Sequence, residues 1–318
     1  MSRPGTRDAR EAREARHAIP NAPHAEARPK HYARKRFGQH FLEPAWAAKL
    51  VAGLEVAPGD VFIEIGPGRG ALTRPLAATG AAIRAIEVDR DLAAALAEWA
   101  PPTLTLITGD FMALDDAGIL PAGGGSVRIV GNLPYNLSTP ILFRVLALAR
   151  ATGRVCDAVV MLQREVADRV LAAPDCGDYG PLAIMLGLFA DRSRLLSLPP
   201  GAFRPPPKVH SAVIRLAFRP PPVPVASFEA VDRLVRTAFQ QRRKTLANAL
   251  RPLIADRGHA PAAAGPGVSG DASTAVSPAL DLAAVLTGAG IEPTRRPETL
   301  TPEEFVRLAD VLIPLSVL

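Results

Sequence analysis

Val61-Phe62-Ile63-Glu64-Ile65-Gly66-Pro67-Gly68-Arg69-Gly70 is the stretch from which the fold can be read. A run that is apolar except for Glu64 stops at a turn rich in glycine, and a helical pattern opens at Ala71. Such a run predicts a strand buried on both faces. The glycines permit a sharp turn and close approach of the backbone to a ligand. Strand, turn and helix together form the first unit of a doubly wound α/β sheet, which binds ligands beyond the C-terminal ends of its strands. The spacing is not Gly-x-Gly-x-x-Gly and no Lys-Ser/Thr follows, which argues against a P-loop.

Working outward, each later strand delivers a polar group to the same edge. Ala82 to Glu87 ends in a carboxylate 21 residues after Gly66, suited to accept from both hydroxyls of a ribose. Leu104 to Thr108 runs into Gly109-Asp110, where Asp110 is placed to accept from an adenine amino group. Val127 to Val130 precedes Gly131-Asn132-Leu133-Pro134-Tyr135. An exocyclic base amine is a poor nucleophile because its lone pair is delocalised into the ring. Two acceptors, the Asn132 side-chain oxygen and the Pro134 carbonyl, can hold its N–H groups and localise that pair towards an electrophile. Tyr135 offers a stacking face worth roughly 1–3 kcal/mol.

After a strand at 158–162 come helices at 163–170 and from 179 to about 189, then strands at 190–198 and 210–218. The intervening proline-rich stretch, 199–211, reads as a rigid loop. It is expected to present Phe203 as a second aromatic face opposite Tyr135, making a slot for an extruded base.

The 318 residues suffice for two domains. Residues 1–33 carry no apolar face and read as a disordered basic tail. The sheet domain is expected over 34–219, and four prolines within 220–224 mark a linker. A small C-terminal helical domain follows over 225–318, with helices near 226–241, 243–255, 279–287 and 302–313 and a flexible insertion at 258–278 rich in Ala, Gly, Pro and Ser. Net charge is +6, yet residues 192–257 alone carry thirteen basic and three acidic side chains. A basic segment in an otherwise acidic body predicts an anion-binding surface, most simply for nucleic acid. Arg242, Arg243 and Lys244 are read there as phosphate contacts, with Arg204 and Lys208 beside them. Two cysteines and six scattered histidines supply no disulfide framework and no metal-ligand spacing. No membrane span or signal segment is visible, and the two cysteines suit a reducing cytoplasm. Nothing in the sequence suggests an obligate oligomer or protein partner, so a monomer is expected.

This succession resembles a class I S-adenosylmethionine methyltransferase. From Arg34 onward the chain is similar to the ribosomal RNA adenine N6-dimethyltransferase family, nearest to its bacterial 16S branch. The resemblance rests on Phe37-Gly38-Gln39-His40-Phe41-Leu42, Glu64-Ile65-Gly66-Pro67-Gly68, Glu87, Gly109-Asp110, Asn132-Leu133-Pro134-Tyr135, Phe203-x-Pro-x-Pro-x-Val209-x-Ser211 and Arg243-Lys244-Thr245-Leu246-x-Asn248. It implies that His40, Leu42, Gly66, Glu87, Asp110 and Asn132 contact S-adenosylmethionine, Asn132 also lying close to the acceptor amine. His40 departs from the family, where Asn is common; a backbone contact survives that change. The implied reaction is dimethylation at N6 of two adjacent adenosines in the 3′-terminal hairpin loop of 16S RNA in the immature small subunit. A 23S adenine methyltransferase of the macrolide-resistance kind is the alternative within the family. An RNA-binding assembly factor, with methylation secondary, is the alternative of another class.

Overall fold

A computed structural model of the chain describes residues 40–255, 281–315 and 317–318. The expectations for the 1–33 tail, for Phe37 to Gln39 and for the 258–278 insertion lie outside these residues.

The main sheet contains β2 (Val61–Ile65), β3 (Ala82–Glu87), β4 (Leu104–Thr108), β5 (Val127–Asn132), β6 (Val155–Gln163), β7 (Ala190–Leu198) and β9 (Ser211–Phe218). Their spatial order is β4-β3-β2-β5-β6-β9-β7, parallel from β4 to β6 and antiparallel for the last two. Strand order reverses direction at β2, whose neighbours are β3 and β5, and the crevice at such a reversal is where open α/β sheets bind ligands. The expected strand ending at Val130 instead continues through Gly131 and Asn132, because Gly131 pairs with Ile65 and Asn132 with Met161. Helices α1 (Pro44–Ala52), α2 (Thr73–Ala77), α3 (Arg90–Ala97), α4 (Asp116–Ile119), α5 (Ser138–Thr152), α6 (Arg164–Leu171) and α7 (Pro181–Phe189) connect or flank the strands.

Side-chain alternation along the central strands separates two cores. Ile129, Val160 and Leu162 enter one, while Val130, Val159 and Met161 enter the other with Phe62 and Leu76. Helices α8 (Phe228–Gln240), α9 (Leu246–Ala249), α10 (Arg251–Ala255), α11 (Leu282–Gly288) and α12 (Pro302–Leu312) follow the strands. Ser227 caps α8, and Val231, Leu234, Val235 and Ala238 recur at helical spacing on its buried face. A capping box starts α12: Thr301 Oγ1 accepts from the Glu304 amide, and Glu304 Oε2 accepts from the Thr301 amide at 2.8 Å. Val231, Leu234, Phe305 and Leu312 belong to the same buried cluster as Ile129 and Leu142.

A second, two-stranded sheet was not foreseen. The segment at β1 (Phe41–Leu42) pairs antiparallel with β8 (Phe203–Arg204), Phe41 opposite Arg204 and Leu42 opposite Phe203.

Candidate active site

The C-terminal ends of β2, β3 and β5 and the β1 ribbon wall one pocket, lined among others by His40, Leu42, Gly66, Glu87, Asn132, Pro134 and Tyr135. Seven of the residues singled out from the sequence are therefore brought together. Gly66 and Gly68 both have left-handed backbone, at φ 68° and 57°, which explains glycine at each. Glu87, buried at the end of β3, accepts from the Gly68 amide through Oε2 at 2.8 Å and from the Asp89 amide through Oε1 at 2.9 Å. It thereby orders the turn while each oxygen keeps a further lone pair. Burial is the largest influence raising the Glu87 carboxyl above its ordinary range, and those two amides act against it.

Asn132 donates its side-chain N–H to the His40 carbonyl at 2.7 Å. Because a carbonyl only accepts, this bond settles which end of the amide is which and leaves Oδ1 as the acceptor. The contact is to His40 backbone, so it is indifferent to the residue type at position 40. The imidazole has its own work: Nδ1 donates to the Pro205 carbonyl at 2.8 Å, and the ring stacks on Tyr135 with centroids 5.6 Å apart. Pro134 O accepts from the Leu137 amide at 2.9 Å and retains its second lone pair. The Tyr135 hydroxyl exchanges a 2.8 Å hydrogen bond with Ser211 Oγ, and burial raises its pKa, so it stays a phenol at neutral pH.

Two expected site residues are not among those that line this pocket. Phe203 is fully buried in the core with Leu42, Leu198 and Val213 and lines no face of the pocket. Pairing of β8 with β1 turns its ring inward alongside Leu42, so it does not oppose Tyr135; His40 is the ring that does meet Tyr135. Asp110 is exposed beyond β4, outside the pocket lining, with Oδ1 accepting from the Met112 amide at 2.9 Å.

Glu64 and Ser211 were quoted in motifs but given no role. Glu64 lines the pocket, is 1% exposed, and its Oε2 has no hydrogen-bond partner. Burial pushes its carboxyl up to about 7, opposed by the Thr73 side chain and amide and reinforced by the Glu87 charge. An acid inside an otherwise apolar strand was the available signal. Ser211 reaches the site as the anchor of Tyr135, which the proline-rich motif signalled only as an unexplained serine.

Among the proposed RNA contacts, Arg243, Lys244 and Lys208 are exposed. Arg204 is exposed and pairs with Glu43 at 3.1 Å. Arg242 is partly exposed and donates within the chain, to the Gly177 and Cys176 carbonyls at 2.6 and 3.0 Å. Among the described residues no cluster of His, Cys, Asp and Glu could hold a metal ion, and no helix is long and apolar enough to cross a membrane.

Residues 30–279 match the family model described as ribosomal RNA adenine dimethylase. A protein of Laribacter hongkongensis named ribosomal RNA small subunit methyltransferase A is 43% identical over 284 residues, covering 88% of this chain and 96% of that protein. The crystal structure of a dimethyladenosine transferase from Plasmodium falciparum aligns with TM-score 0.63 at 22% identity, over 85% of this chain and 96% of that one. The crystal structure of the 23S rRNA methyltransferase ErmE aligns with TM-score 0.58 at 24% identity, over 86% and 99%. These two structural likenesses establish the class I methyltransferase α/β fold.

Proposed function

The chain belongs to the ribosomal RNA adenine dimethylase family, and from that premise we propose that it dimethylates N6 of two adjacent adenosines in the 3′-terminal hairpin loop of 16S RNA. S-adenosylmethionine is the methyl donor in this reading. The observation that carries it is the Asn132 amide, held by the His40 carbonyl so that Oδ1 is left as an acceptor in the pocket that Pro134 and Tyr135 also line. Such an arrangement suits an amine that presents N–H groups and a flat ring.

The pocket residues also fit the donor. Two buried carboxyl groups, Glu64 with an unpartnered oxygen and Glu87 at the expected ribose position, line the pocket and would help hold a molecule that carries hydroxyls and positive charge. When bound, S-adenosylmethionine supplies a methyl group on a positively charged sulfur, an electrophile that asks no prior deprotonation of the amine. Asn132 Oδ1 and Pro134 O accept from the amine and direct its lone pair, and Tyr135, held by Ser211, stacks on the base. The proton leaves the nitrogen after transfer, so the un-ionised Tyr135 phenol is suited to positioning rather than to base chemistry. After the first methylation one N–H is gone, and stacking plus the remaining acceptor contact hold the base for the second.

Arg243 and Lys244, in the turn between α8 and α9, serve as phosphate contacts. The immature small subunit is the partner, and the chain acts as a cytoplasmic monomer. Identity of 43% over 88% of this chain to a protein named ribosomal RNA small subunit methyltransferase A supports the 16S substrate.

The test is methyl transfer from labelled S-adenosylmethionine to undermethylated small-subunit particles and to large-subunit RNA, read by nucleoside mass spectrometry. N6,N6-dimethyladenosine is expected only in the small-subunit RNA. Asn132→Ala is expected to lower kcat at least tenfold, as loss of an oriented acceptor implies. Product in the large-subunit RNA overturns the substrate assignment, and particle binding without transfer favours the assembly-factor reading.

A further inference from the structure

Beside the pocket lies a groove of about 500 Å³ whose walls include Phe41, Glu43, Arg69, Arg74 and Arg204. The groove and the pocket share Phe41, Leu42 and Ala71, so the β1 segment borders both. Arg69 lies over the Phe41 ring at 4.3 Å from its centroid, and Arg74 lies over Trp99 at 4.2 Å. A guanidinium stacked on a ring has its face occupied, while its N–H edge remains available for planar, bidentate recognition of phosphate. Glu43 is the acid of this groove and pairs with Arg204. Arg69 and Arg74, both exposed, have no ion-pair partner among the described residues.

The groove is joined to the base site by a short chain of contacts. Arg204 precedes Pro205, whose carbonyl holds the His40 ring, and that ring stacks on Tyr135. The groove thus lies next to the place where an anionic strand would extrude its base onto Tyr135. We propose that the Arg69–Arg74 groove binds backbone phosphates of the RNA strand that delivers the target adenosine. This inference rests on the proposed RNA methyl transfer and adds a site distinct from the basic junction at Arg243-Lys244. The side chains hold phosphates by charge and orientation, so they affect RNA capture and leave base chemistry to Asn132 and Tyr135.

The experiment compares the full chain with the double variants Arg69→Gln/Arg74→Gln and Arg69→Lys/Arg74→Lys. For each, KM for undermethylated small-subunit particles is measured across a salt series, with S-adenosylmethionine affinity followed by calorimetry. The Gln pair is expected to raise KM several-fold with kcat held. It should also reduce the slope of log affinity against log salt by about 1.4, from roughly 0.7 per single-strand phosphate contact. The Lys pair, which keeps charge, should restore the slope. A Gln pair with wild-type KM and slope overturns the groove, as does a loss confined to cofactor affinity. Failure of the wild-type chain to methylate RNA at all instead removes the reading on which the groove depends, so the two failures are told apart.

Discussion

Glu64 carries a buried carboxyl whose pKa is pushed up to about 7, and one of its oxygens is unpartnered in the pocket at the strand ends. A carboxyl raised in this way contributes its full share of stability below its ordinary pKa and loses it as pH rises through about 7. A cationic ligand beside it favours the ionised form instead. Affinity for S-adenosylmethionine is therefore expected to rise with pH up to about 7, with proton release on binding below that point. Glu64→Gln should flatten this profile. Calorimetry in buffers of different ionisation enthalpy measures the released proton, and a wild-type affinity independent of pH between these limits would exclude the role. At this scale the gathering of Gly66, Glu87, Asn132 and Tyr135 in one pocket was legible, because each ends a strand or lies in the turn that follows it. Phe203 was misread because aromatic character says nothing about which way a ring points.

Among the elements, β5 shows how tightly the strand ends are set. A Cβ on Gly131 would stand 2.6 Å from the Ile65 carbonyl and 3.3 Å from Ile65 Cβ. The carbonyl belongs to β2 immediately before the glycine turn, so the two strands must separate to admit a methyl group. Gly131→Ala is expected to destabilise the fold by about 1–3 kcal/mol and to weaken cofactor binding through displacement of Gly66. Urea unfolding and cofactor titration check the two effects; a variant with wild-type stability would show that the strands yield easily. Strand positions in the main sheet followed from continuous apolar runs bounded by turns. The β1–β8 ribbon did not, since two-residue strands have no periodicity to read and their partners lie far apart in the chain.

For the whole described molecule, the C-terminal helices are tied to the sheet region through the loop between α6 and α7. Fully buried Tyr179 donates its hydroxyl to the Leu300 carbonyl at 2.9 Å, the Asp175 amide donates to Glu298 O at 2.9 Å, and Arg242 holds Cys176 and Gly177. Tyr179→Phe leaves that carbonyl without its donor, at an expected loss of about 1–3 kcal/mol. Because the shared core couples both regions, unfolding is expected to remain one cooperative transition when followed by circular dichroism and fluorescence. Two separated transitions would show that the regions unfold independently. The amino-acid sequence by itself determined the α/β class and the placing of polar groups at successive strand ends, because these depend on local periodicity and residue type. Tertiary structure alone decided that His40 stacks on Tyr135, that Ser211 anchors it, that Phe203 is core and that Arg242 is a clamp. Each of those outcomes turns on long-range pairing, which places side chains by where distant segments meet.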